Sequence, residues 1–184
     1  MRKEVFPIKE IHSKLYIEYD YITAGELGNI LIRFQAATRS VAGFGSDKYR
    51  YLDGRPLILA STVQTKHSIE AELIVGIVGL VMIAPQAIEQ WVRISSPCFR
   101  RLRGVLYALI NREYGGDREL EIPTGLTINV TKGTINIYDW KEFLDTASDK
   151  DIMRLEYLIQ VLFGPAKQVV LGDDDSEITI SREL

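Results

Sequence analysis

A chain of 184 residues, 46% apolar and 26% charged, has the composition of one ordinary globular domain. A domain of this size buries about 70% of its unfolded surface, which excludes extended disorder and any need for covalent staples. The formal charge of −3 and pI near 5.5 exclude a global attraction to nucleic acid or anionic lipid, and the single cysteine, Cys98, excludes an internal disulfide and a multi-cysteine zinc site.

Such cysteine usage suits a reducing, cytoplasmic setting. The first ten residues include Arg2, Lys3 and Lys9 but no apolar core behind them, so they do not read as a secretory signal. A loosely held arm is expected over 1–13, followed by a single domain over 14–184.

From Lys14, Leu15, Ile17, Tyr19 and Tyr21 alternate with Tyr16, Glu18 and Asp20, the period of a half-buried strand. Thr23 and Glu26 then form a capping box that opens a helix. Leu27, Ile30, Leu31, Phe34, Thr38 and Val41 supply its apolar stripe, and Gly43 can end it. The segment 44–55 interleaves Lys48, Tyr49, Arg50, Tyr51 and Arg55 among turn residues, a composition often found in functional loops.

Leu57 to Thr65 reads as a strand, and Lys66-His67-Ser68 turns it into a second strand from Ile69. On that strand Glu70 and Glu72 lie opposite Ile69, Ala71 and Leu73. The unbroken apolar run Leu73 to Ala84 is too short for a membrane helix, which needs roughly 20 residues. It is expected to be strand to about Gly76, then buried helix from Ile77, restarting at Pro85 with Ala87, Ile88, Trp91 and Val92 as its stripe.

Ser96 and Pro97 read as the N-cap and first residue of another helix, with Phe99, Leu102, Val105, Leu106, Leu109 and Ile110 on its apolar face. Its exposed side is expected to carry Arg100, Arg101, Arg103 and Arg112, and Gly115-Gly116 to end it. The stretch Leu126 to Trp140 is nearly palindromic about Lys132-Gly133 and predicts a tight hairpin, Val130 facing Ile135, Ile128 facing Ile137 and Asn129 facing Asn136. Asp139 to Glu142 suggests a short helix. Ser148 with Asp151 caps a longer one carrying Ile152, Leu155, Leu158, Ile159, Leu162 and Phe163, and a final hairpin turns at 172–176. The expected class is α+β: an antiparallel or mixed sheet built from hairpins, with about four helices packed on it in a single domain.

Chemistry is sparsely marked. Glu18, Asp20, Glu70 and Glu72 could gather on one sheet face and hold a divalent metal or divide acid and base roles, although solvent-facing carboxylates are the ordinary outcome for such strands. Asp53 with Gln64-Thr65-Lys66 imitates a metal-dependent nuclease pattern but has glutamine where an acid is needed. Asp173, Asp174, Asp175 and Glu177 lack calcium-loop spacing and read as an acidic hairpin tip. Gly43-Phe44-Gly45-Ser46 matches no phosphate-cradling loop. His12 and His67 fall in no ligand spacing, and Cys98 reads as a small, partly buried residue.

Function is therefore expected to be that of a non-catalytic protein-interaction or assembly module, binding a protein partner or itself. Lys48, Tyr49, Arg50, Tyr51, Arg55, Arg100, Arg101 and Arg103 are the candidate binding residues, and the arginines would also suit nucleic acid if they shared a face. The alternative is a metal-dependent hydrolase or nuclease acting on nucleic acid or a phosphorylated small molecule through the four carboxylates. No cofactor and no membrane attachment are called for.

Overall fold

The computed structural model describes residues 3–43, 55–80 and 85–183. In chain order the elements are β1 (Lys3–Tyr19), α1 (Ala24–Val41), β2 (Arg55–Gln64), β3 (Ser68–Leu80), α2 (Pro85–Ser95), α3 (Cys98–Ile110), β4 (Leu126–Lys132), a 3-10 turn (Ile137–Asp139), α4 (Lys141–Thr146), α5 (Asp149–Leu162), β5 (Ala166–Gly172) and β6 (Glu177–Arg182). The six strands form one sheet in the order β2-β3-β1-β5-β6-β4, every neighbouring pair antiparallel. This is the α+β domain expected, with five α-helices among the described residues.

Alternation divides the sheet into two faces. Leu15 and Ile17 of β1, Ile69, Leu73 and Val75 of β3, Val169 and Leu171 of β5, and Ile178 and Ile180 of β6 point inward and are buried. Against them pack Ile30 and Phe34 of α1, Leu102, Leu106 and Leu109 of α3, and Leu155, Ile159 and Leu162 of α5, all in one core. Helix α1 lies against both α3 and α5. The stripes explain why these segments are helical and which way they face.

Local signals fix two helix starts. Thr23 Oγ1 accepts from the Glu26 N–H at 3.1 Å while Glu26 Oε2 accepts from the Thr23 N–H at 2.7 Å. Ser148 and Asp151 make the same reciprocal cap on α5. Gly43, at φ +74, follows the C-cap of α1.

Four expectations are corrected. Lys3 to Ser13 is not a loose arm: Lys3 to Ile8 pair with Leu80 to Val75, and pairing resumes at His12 with Ile74. Lys9, Glu10 and Ile11 form the irregularity between, which lets Ile8 and Ile11 both be buried despite their odd spacing. The apolar run stays extended from Gly76 to Leu80, because β1 at Lys3–Pro7 and β2 at Arg55–Leu57 take its backbone groups on both sides, and its last four residues, 81–84, lie outside the described residues. Gly76 is no stop; a Cβ there would meet the Leu59 side chain at 3.0 Å.

The hairpin about Lys132-Gly133 does not form. Val130 faces Ile178, Ile128 faces Ile180 and Asn129 faces Thr179, so β4 completes the sheet on β6 and buries Ile128. Asn136 instead accepts from the Tyr138 N–H and starts the 3-10 turn. Helix α3 begins at Cys98 with no side-chain cap and ends well before Gly115. Arg112, at φ 57, closes it: its N–H reaches Leu109 O at 3.1 Å and the Glu113 N–H reaches Ala108 O at 2.8 Å, the paired bonds of a Schellman cap.

Candidate functional site

The helices cover one face of the sheet and leave the other open. Register decides what meets there: Tyr16 is opposite Glu70 and Lys14 opposite Glu72 across β1 and β3, Glu70 is opposite Val63 and Glu72 opposite Ser61 across β3 and β2, and Tyr16 is opposite Val170 across β1 and β5. The sheet's twist makes this a shallow groove of about 510 Å³, lined also by Glu177 of β6. Tyr16 and Val170 stand side by side on it, Val63 lies across Glu70 from Tyr16, and Glu70, Glu72 and Glu177 set carboxylates among these apolar side chains. Lys14 is the one cation lining it among the described residues, 3.9 Å from Asp174 with both side chains exposed.

Of the predicted carboxylates, Glu18, Glu70 and Glu72 share this face. Glu70 and Glu72 stand two residues apart on one face of β3, about 7 Å between Cα atoms. Asp20 lies past the end of β1 and pairs with Lys167 at 2.6 Å. That hydrogen bond raises the Lys167 pKa. Among the described residues no three His, Cys, Asp or Glu side chains are grouped to hold a metal.

Among the described residues the arginines do not all share one patch. Lys48, Tyr49, Arg50 and Tyr51 lie outside the described residues, as does Asp53, and Arg55 begins β2 opposite Val78. Arg100 binds Asp139 at 2.9 Å. Arg101 lines a cleft with Tyr138, Glu142 and that same Asp139, and Arg112 a different one with Tyr114 and Thr124.

Arg103, expected on the exposed side of its helix, is only 1% exposed. Its Nη2 donates to Asp173 Oδ2 at 2.5 Å and to Ser176 Oγ at 2.7 Å, while Nε and Nη1 find no acceptor among the described residues. The other Asp173 oxygen accepts from the N–H groups of Asp175 and Ser176, each at 2.9 Å. Burial opposes ionisation of Asp173, but those two N–H groups and Arg103 outweigh it and hold its pKa below the usual carboxylate value. The acidic hairpin tip is thus a clamp from the β5–β6 turn to α3. A signal for it existed: Arg103 lies four residues after Phe99 and three before Leu106, on the apolar stripe itself.

The remaining reactive groups are inert or peripheral. Cys98 is fully buried, and burial pushes its thiol up to about 12 despite the Phe99 N–H and Arg103 nearby. His12 sits by the β1 irregularity with Nδ1 3.2 Å from Lys9 O, and His67 is exposed in the β2–β3 turn. No described helix is long and apolar enough to cross a membrane. Alternation alone placed Tyr16, Glu70 and Glu72 on a polar face; Lys14, Val63, Val170 and Glu177 needed the strand order. Compared with known proteins, the chain matches no family model, no curated sequence and no solved structure.

Proposed function

We propose that this protein is a non-catalytic interaction and assembly module whose working surface is the open face of the sheet. The observation that carries the reading is the groove over β2, β3, β1 and β5, where Tyr16 beside Val170, and Val63 across Glu70 from them, stand among the carboxylates of Glu70, Glu72 and Glu177. An aromatic and two aliphatic side chains provide area to bury, and the excess of carboxylates over lysine selects a partner segment that alternates basic and apolar side chains. An extended segment suits the groove because its own side chains also alternate.

The test is a titration of amide spectra with a synthetic peptide of alternating lysine and valine. Shifts are expected on the outward residues of β1, β2, β3 and β5. The double variant Glu70→Lys, Glu72→Lys is expected to bind at least about tenfold more weakly, with wild-type binding weakening as salt rises. Absence of shifts, or equal binding by the double variant, would overturn the reading.

A further inference from the structure

The edge strand β2 carries a second surface, distinct from the open face. Leu57 to Thr65 contains no charged residue, and Ala60 to Gln64 is exposed throughout. The Thr65 N–H bonds Ser68 O at 2.8 Å, which sets the phase of the β2–β3 ladder: Leu59, Ser61 and Val63 bond β3, and Ile58, Ala60, Thr62 and Gln64 direct their N–H and C=O groups away from it. The phase is confirmed at Ile58, whose outward N–H donates to Gln35 Oε1 of α1 at 3.3 Å. Ala60, Thr62 and Gln64 therefore present a pairing edge centred on Thr62. Natural sheets guard such edges with lysine, proline or a bulge, and this stretch has none of them.

Helix α1 extends the surface beside that edge. Gly28, Ile32 and Gln35 lie at four- and three-residue spacing, so they share the side of α1 from which Gln35 reaches β2. Ile32 is 65% exposed and Val63, on the other face of the sheet, 64%. Gly28 costs helix stability, yet a Cβ there would meet nothing within 4 Å. Packing within the chain does not call for a glycine at this place; close approach from outside does.

We infer that a second copy of the chain docks on β2, the two edges pairing antiparallel about a two-fold axis at Thr62 so that the sheets join. Thr62 would face Thr62 of the second copy and Ala60 would face Gln64, each through outward groups. The occupant is a copy rather than a different chain because the edge is complementary to itself. Leu57 to Thr65 brings no charge to the axis, and Thr opposite Thr is a favourable cross-strand pair. Gly28 and Ile32 of the two α1 helices would then meet over the join. This deepens the assembly reading but uses the edge, leaving the groove open.

Sedimentation equilibrium across a concentration series tests it. Wild type is expected to dimerise, and Thr62→Pro to sediment as the 20.9 kDa monomer. Proline there removes only an outward N–H, which edge strands tolerate. Thr62→Val should still dimerise. Ile32→Glu changes an exposed helix position, so it folds whatever Thr62→Pro does, and should also be monomeric. Thr62→Cys should cross-link as a disulfide dimer on oxidation, since paired residues of this kind lie about 5.5 Å apart and the buried Cys98 does not compete. A wild-type monomer at every concentration, or a dimer that survives Ile32→Glu, overturns the inference. The groove is intact in Ile32→Glu, so binding of the lysine–valine peptide by that monomer separates failure here from failure of the interaction reading.

Discussion

β4 and β2 are both edge strands of one sheet, and they are treated differently. β4 has seven residues, a register break at Val130 to Lys132, and a charged end where Thr131 Oγ1 donates to Glu177 Oε1 at 2.7 Å. Beside it the β5–β6 turn is clamped to α3 through Asp173 and Arg103, and Gly133 tucks under Asp175 at φ +67. β2 has ten residues, a regular ladder and one outward amide held by a glutamine. The contrast is between a short strand whose register breaks and a longer, regular one whose stretch from Leu57 carries no charge, proline or bulge.

Breaking the clamp should have the largest effect. Asp173→Ala leaves Arg103 charged, buried and without the one carboxylate that it meets among the described residues, a loss of about 3–5 kcal/mol and of roughly 10 °C in Tm by thermal melting. The same group gives a pH signature. Because the folded pKa of Asp173 lies below its unfolded value, its contribution is fully present above the unfolded pKa and is lost as pH falls through the folded one. Acid unfolding curves of Asp173→Asn should therefore be flatter than wild type over that acidic window.

Gly133→Ala comes next. It places a Cβ against Asp175 O in a left-handed conformation, and should cost about 2 kcal/mol in denaturant unfolding. The smallest effect sharpens the other edge: Gly28→Ala should raise monomer stability by about 0.5–1 kcal/mol in the Ile32→Glu background while weakening association in an otherwise wild-type chain. A stabilised chain that associates as before would remove the reason given for that glycine.

The same contrast separates what could be read from residues from what could not. The Thr23–Glu26 and Ser148–Asp151 caps, the turn at Lys66 to Ser68 and the turn at 172–176 are local devices, and each stands where the spacing put it. The partner of β4 was a choice between two apolar alternations, Ile135 with Ile137 nearby and Ile178 with Ile180 far along the chain. Nothing within Leu126 to Trp140 records that burying Ile128 against α3 and β6 favours the distant pair. Apolar windows hide their period, so Ile77 to Leu80 could be placed only once its two neighbours were known. The carboxylates of the groove were visible as an alternating face, but its apolar side chains come from β1, β2 and β5.

β1 carries a consequence for how the chain is made. Its first half pairs only with β3, whereas Lys14 to Tyr19 also pair with β5, so Lys14 finds its second neighbour at Gly172. A chain leaving the ribosome can assemble β1, β3 and β2 with α1 early, but the second side of its central strand stays unsatisfied until β5, Ala166–Gly172, has been synthesised. During that interval the sheet has two open edges, one on β2 and one on β1.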